Sequence, residues 1–200
     1  MSSYLAQRPP LEIVTRCHLF LEQYALTIDG AGGMTLNGSG GRGAGSNHGV
    51  SLSSTAITST GDLSITTTAT GKSNIGVYIA KESALSAATM SIIGTGGRGS
   101  GRSNGIGITK SSLTTASGDL PLTGTARSNT GGVKNIGVSL FSSVSLISAG
   151  AIDITGTGGG GSKFNYGVYM HRDITAAGAN VTGTAGSGTG SKAKAGDFFA

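Results

Sequence analysis

The stretch Asn74-Ile75-Gly76-Val77-Tyr78-Ile79, followed by Leu85 and then by Met90-Ser91-Ile92-Ile93-Gly94-Thr95-Gly96-Gly97, recurs along the chain. The spacing runs from 27 residues (Asn47 to Asn74) to 32 (Ser103 to Asn135). The first segment returns as Asn47-His48-Gly49-Val50-Ser51-Leu52, Asn135-Ile136-Gly137-Val138-Ser139-Leu140 and Asn165-Tyr166-Gly167-Val168-Tyr169-Met170. A further copy, Ser103-Asn104-Gly105-Ile106-Gly107-Ile108, has Ser103 in the Asn column. A second segment carries one large apolar residue per copy: Leu26, Ile57, Leu85, Leu113, Leu146 and Ile174. The third begins at Met34, Leu63, Met90, Leu120, Ile152 and Ala179. A fixed period of this length marks one supersecondary unit that cannot bury its own core and stacks on copies of itself.

Within each segment apolar residues alternate with Ser, Thr, Tyr or Gly, the period of a strand with one buried face. Val, Ile and Thr suit a pleated surface, and the residues that follow each segment are turn formers. Three short strands per copy, stacked parallel on their equivalents, predict an all-β chain: a right-handed parallel β-helix of five to six coils, each of about 30 residues. Val50, Val77, Ile106, Val138 and Val168 form one inward column. Leu52, Ile79, Ile108, Leu140 and Met170 form a second, and Ile65, Ile92, Leu122, Ile154 and Val181 a third. At roughly 4.8 Å between stacked strands, five coils make a rod about 25 Å long. The Asn column at 47, 74, 135 and 165 is expected to stack its amides in a buried turn, since each amide donates to one neighbour and accepts from another.

The repeat is expected over residues 24–186 of the 200. Residues 1–23 stand apart: after Pro9-Pro10, the apolar positions Ile13, Cys17, Phe20, Leu21 and Tyr24 fall on one helical face, which suggests a helical cap or a leader foreign to the repeat. Residues 187–200 read as a Gly/Ser-rich tail without a polar capping coil, so the chain is expected to belong to a longer one. With 37 glycines and only 12% charged residues the chain would read as disordered, were it not for the periodic apolar columns. Cys17 is the single cysteine, which excludes a disulfide framework and a cysteine metal site. No apolar run approaches the length of a membrane span, and the first residues do not read as a signal peptide.

At the level of Asn-x-Gly-Val, Gly-Asp-Leu-x-Ile and Thr-Gly-Thr-Gly-Gly, residues 24–190 resemble the repeat regions of filamentous-haemagglutinin-like and related large bacterial β-helix adhesins. The resemblance implies export, an extracellular or cell-surface location, and a structural or adhesive role.

Nine of the 14 cations lie in the Gly-rich connections between the third segment of one copy and the first of the next: Arg42, Lys72, Arg98, Arg102, Arg127, Lys134, Lys163, Lys192 and Lys194. Those loops contain no Asp or Glu before Asp197. Stacked, they form a basic ridge, for which Arg42, Lys72, Arg98, Arg102, Arg127, Lys134 and Lys163 are the candidate ligand-binding residues. Such a ridge attracts an anionic polysaccharide, a cell-surface glycan or another polyanion. The bland alternative is a solvated edge whose like charges discourage aggregation.

A competing class is a polysaccharide lyase or hydrolase, which needs clustered carboxylates. Asp62 and Asp119 share a column with Thr89 between them, about 9.6 Å apart at two strand spacings, near the upper limit for an inverting glycosidase. Both follow glycine and read equally as turn residues, so no catalytic residue is assigned and no enzyme activity is expected. A more remote alternative is an ice-binding face built on Thr68, Thr95, Thr125, Thr157 and Thr184, beside Thr66, Thr123, Thr155 and Thr182. The Gly-Gly-Arg-Gly loops at 40–43 and 96–99 lack the Asp of a calcium roll, and no phosphate loop is present. The three histidines show no ligand spacing. No metal or small-molecule cofactor is expected. Tyr78 and Tyr169 share an outward column but not adjacent coils, which gives little support to an aromatic sugar platform.

Overall fold

The computed structural model describes residues 11–15, 19–28, 32–42, 47–71, 75–98, 101–127, 133–171, 175–187 and 197–199. Every regular element among them is a strand. Strand β1 (Leu11–Thr15) precedes a first coil of β2 (Leu19–Glu22), β3 (Ala25–Ile28) and β4 (Met34–Gly40). The second coil is β5 (Val50–Ser53), β6 (Ala56–Ser59) and β7 (Leu63–Ala69), and the third is β8 (Val77–Ala80), β9 (Ala84–Ala87) and β10 (Met90–Thr95). The fourth is β11 (Ile106–Thr109), β12 (Ser112–Thr115) and β13 (Leu120–Thr125). In the fifth, β14 (Val138–Phe141) is followed by β15 (Ser145–Thr157), which runs through both later segments. Strands β16 (Val168–Met170) and β17 (Thr175–Thr184) make a sixth coil, and β18 (Asp197–Phe199) pairs beyond it.

All the pairings are parallel and join each strand to its equivalent one coil away. The result is a right-handed parallel β-solenoid. The expected columns are its register. Val50, Val77, Ile106, Val138 and Val168 are mutual partners along one sheet. Leu36, Ile65, Ile92, Leu122, Ile154 and Val181 are partners along another. Leu26, Ile57, Leu85, Leu113 and Leu146 make a third column, in strands that β15 joins to that second sheet; Ile174 lies outside the described residues. These side chains form one continuous core along the axis. Stacking like on like lets each apolar residue bury its flanks against its own copy, which a single coil cannot do.

Where the last strand of each coil meets the glycine ahead of a first strand, the chain is pinched. A Cβ added to Gly94, Gly124 or Gly156 would fall on the carbonyl of Gly105, Gly137 or Gly167 respectively. One added to Gly105, Gly137 or Gly167 would fall on the backbone of the opposite strand in turn. The glycines of Asn-x-Gly and Thr-Gly-Thr are therefore two halves of one seam, in which backbone packs on backbone. At the opposite turn, non-glycine residues take left-handed backbone: Ser54 and Lys110 singly, Lys81-Glu82 and Ser142-Ser143 in pairs. Beside them Ser83 Oγ accepts the Thr55 N–H at 3.1 Å and donates to the Ala80 carbonyl at 2.7 Å, so hydroxyls serve the turn's backbone groups.

Two expectations need correction. The helical reading of residues 1–23 fails over the described part, because β1 pairs with Met34–Gly38 and β2 with Val50–Ser53. Leu19 is 8% exposed while its neighbour Phe20 is 51% exposed, the alternation of a strand. The coil beside them presents an open edge of backbone N–H and C=O groups, which added strands pair and a helix would leave unpaired; Cys17 lies outside the described residues. The repeat also extends past the expected boundaries of 24 and 186. Strand β18, in the segment read as a tail, continues the first sheet on β16.

Candidate functional site

On the outer surface of the first sheet, Ser51, Tyr78, Gly107, Ser139 and Tyr169 occupy successive rungs of one column. Gly107 and Ser139 are small and stand between two tyrosines, so the column is indented across the fourth and fifth coils. The indentation is a trough of about 610 Å3. Tyr78 and Ile75 stand at one end, and Tyr166, Tyr169 and Phe164 at the other. The two tyrosines of the column are three rungs apart, about 14 Å. Ile136, which is buried, and Phe141, which is exposed, also line it.

The aromatic end is built by stacking. Phe141 and Tyr169 lie 6.3 Å apart between ring centroids at 28°, Tyr166 and Tyr169 5.8 Å apart, and Phe164 and Tyr166 6.3 Å apart. Phe141 also stacks on His171 at 5.8 Å, and remains 49% exposed. Offset and tilted pairs at these separations hold one another's orientation. At the other end His48 packs on Tyr78 at 5.2 Å, and its Nδ1 accepts the Ile75 N–H at 3.1 Å. A ring that accepts there is anchored to the next coil, and so steadies the wall formed by Ile75 and Tyr78.

The lip of the trough is cationic. Arg102 and Lys134 each stand three residues ahead of their column glycine, Gly105 and Gly137, on adjacent coils. Both are exposed and both line the trough. The N–H of Lys134 donates to the Lys163 carbonyl at 2.9 Å, which ties its backbone to the following coil. No Asp or Glu is among the residues lining the trough.

Beneath the lip lies the Asn turn. Asn135 Nδ2 donates to Asn165 Oδ1 at 3.2 Å and to the Gly160 carbonyl at 3.0 Å, and Asn165 Nδ2 donates to the Gly161 carbonyl at 3.1 Å. In the fourth coil the column holds Ser103, which is fully buried and whose Oγ has no hydrogen-bond partner. There the adjacent Asn104 reaches across instead, its Oδ1 accepting the Ile136 N–H at 3.2 Å. Asn74 lies outside the described residues.

The described basic loop residues do not form one file. Arg42 and Arg98 are exposed and follow the third strands of the first and third coils, two coils apart. Arg127 is half-buried, and Lys163 is exposed and bridges to Val133. Lys72, Lys192 and Lys194 lie outside the described residues. Of the six described candidates, Arg102 and Lys134 converge on the trough. The aromatic residues Phe141, Phe164 and Tyr166 did not emerge from the sequence as site residues. Each belongs to a different column, and the signal that unites them is the three-rung gap between Tyr78 and Tyr169.

The remaining candidates are placed elsewhere. Thr89 Oγ1 donates to Asp62 Oδ1 at 2.7 Å, and Asp119 Oδ1 accepts the Ala151 N–H at 2.8 Å, so each carboxylate is bonded to the coil that follows it. The Thr column from Thr68 to Thr184 is continuous from rung to rung, and its neighbour is broken by exposed Ile93. Among the described residues no group of three or more His, Cys, Asp or Glu is gathered as for a metal ion, and no helix is long and apolar enough to cross a membrane. No family model matches the chain, and neither a curated protein nor a solved structure is significantly similar to it.

Proposed function

We propose that this chain is a structural and adhesive β-solenoid segment of an exported surface protein, and that its loop edge contacts anionic glycans. The observation that carries the reading is the trough of Tyr78, Tyr166, Tyr169 and Phe141, with Arg102 and Lys134 on its lip and no acidic residue in its lining. Aromatic surface with a few convergent polar groups is the usual make-up of a ligand site. Exposed cations around it favour a polymeric anion over a neutral one. The stacked coils supply a stiff support, and the resemblance to bacterial β-helix adhesins agrees with a surface location. A polysaccharide-acting enzyme has less support, because Asp62 and Asp119 serve turns in separate bonds. An ice-binding face has less again, since Ile93 interrupts one of its two Thr columns.

The test is titration of the folded chain with polygalacturonate at low and at high ionic strength, with dextran as neutral control. Binding that is strong at low salt, weakens steeply as salt rises and is absent for dextran is the expected result. No binding to polygalacturonate at low salt would overturn the reading.

A further inference from the structure

Most glycines of the repeat are required by the backbone that presses on them. Gly107 is different. A Cβ added there would meet Ile75 Cδ1 at 3.4 Å, Ile75 Cγ2 at 3.5 Å and Tyr78 Cδ2 at 3.6 Å, all ordinary side-chain contact. Its backbone is not in the left-handed region, since the structure records no positive φ for it. It sits inside β11, and a glycine within a strand weakens that strand and offers no side chain to pack. Neither steric crowding nor backbone conformation therefore accounts for it. What its missing side chain does produce is depth, because the flanking rungs of the same column hold Tyr78 and Ser139.

We infer that Gly107 keeps open a subsite for a carboxylated pyranose, the uronic acid unit of an acidic polysaccharide. The sugar ring sits over Gly107 and Ser139 between Tyr78 and Tyr169, and its carboxylate faces Arg102 and Lys134. Three features favour this occupant. The floor and ends offer ring faces and flat apolar surface, which suit the C–H faces of a pyranose. The charged groups, Arg102 and Lys134, lie to one side, at the lip, so the ligand carries its charge on one side. The cations there are an arginine, which takes a carboxylate in two parallel bonds, and a lysine one coil away. This inference rests on the anionic-glycan reading above and narrows it from a charged edge to one shaped position.

The experiment is calorimetric titration of the full chain with tetragalacturonate and with a hyaluronan tetrasaccharide. Methyl-esterified tetragalacturonate and an oligothymidylate serve as comparisons. The variants are Gly107→Leu, which fills the trough without altering charge, and Tyr169→Ala, which removes one wall. A third, Arg42→Gln/Arg98→Gln/Lys163→Gln, lowers the charge of the edge and leaves the trough intact. Thermal melts verify that each folds. The inference expects a loss of tenfold or more for Gly107→Leu and for Tyr169→Ala, a similar preference for the acid over its ester, and a small effect of the triple variant. Unchanged affinity in Gly107→Leu together with a large loss in the triple variant would overturn the subsite and leave the charged-edge reading standing. Absence of binding to either oligosaccharide by the wild-type chain, with polygalacturonate still bound, would likewise overturn the subsite alone. Tighter binding of oligothymidylate than of either sugar would also overturn it, since stacked bases and backbone phosphates use the same rings and cations.

Discussion

Gly105 and Gly107 stand two residues apart in one segment, Asn104-Gly105-Ile106-Gly107-Ile108, yet their surroundings are opposed. A Cβ on Gly105 would strike the backbone of Gly124 and Thr125 on β13, where no side-chain motion can make room. A Cβ on Gly107 would touch the outer atoms of Ile75 and Tyr78 at normal distances. The first glycine belongs to a seam that closes the solenoid, and the second to a surface that the solenoid leaves indented. Glycine content alone thus mixes two requirements, one set by the fold and one that the fold leaves unexplained.

The largest effect should come from the seam. Gly124→Ala pushes a methyl group onto the Gly137 carbonyl, and overpacking against backbone should cost about 3 kcal/mol or more. Urea unfolding of wild type and variant measures it; a change under about 1 kcal/mol would mean that the two sheets separate easily, contrary to a rigid seam.

A smaller loss is expected one step from the seam. Asn135→Ser copies the state already present at Ser103, and removes the amide that serves Gly160 and Asn165. Leaving those buried acceptors short of a donor should cost about 1–3 kcal/mol. Equal stability of the two proteins in the same unfolding experiment would show that the Asn turn is as tolerant as its fourth coil suggests.

The smallest effect, and of opposite sign, belongs to Gly107→Ala. Alanine restricts the unfolded chain and finds space in the strand, so the variant should gain about 0.5 kcal/mol. A melting temperature several degrees below wild type would erase the distinction between the two glycines, and with it the argument that the trough, not the fold, accounts for Gly107.

The parts of this molecule that were legible in its sequence share a cause. An inward residue such as Ile92 repeats its environment one coil away, at Ile65 and Leu122, so like residues recur and the register can be read by alignment. The Asn turn was legible for the same reason, as the bond from Asn135 to Asn165 illustrates. The N-terminal strands were not. Ile13, Phe20 and Leu21 fit a helical face by spacing, and only the adjacent coil, offering its backbone to Leu11–Thr15 and Leu19–Glu22, decided for strands. The basic edge was half legible, because composition located the cations in the loops but could not say which two would converge.

The sequence by itself determined the period, the inward columns and hence a stacked parallel solenoid, because repetition in the chain becomes translation along an axis. Only the tertiary structure decided where that regularity is broken to useful effect. Tyr78, Gly107, Ser139 and Tyr169 are some thirty residues apart in the chain and successive rungs in space. Their departures from one another carry no meaning until coiling sets them side by side. A trough is a difference in side-chain height between neighbours, and neighbours across coils exist only once the chain has coiled.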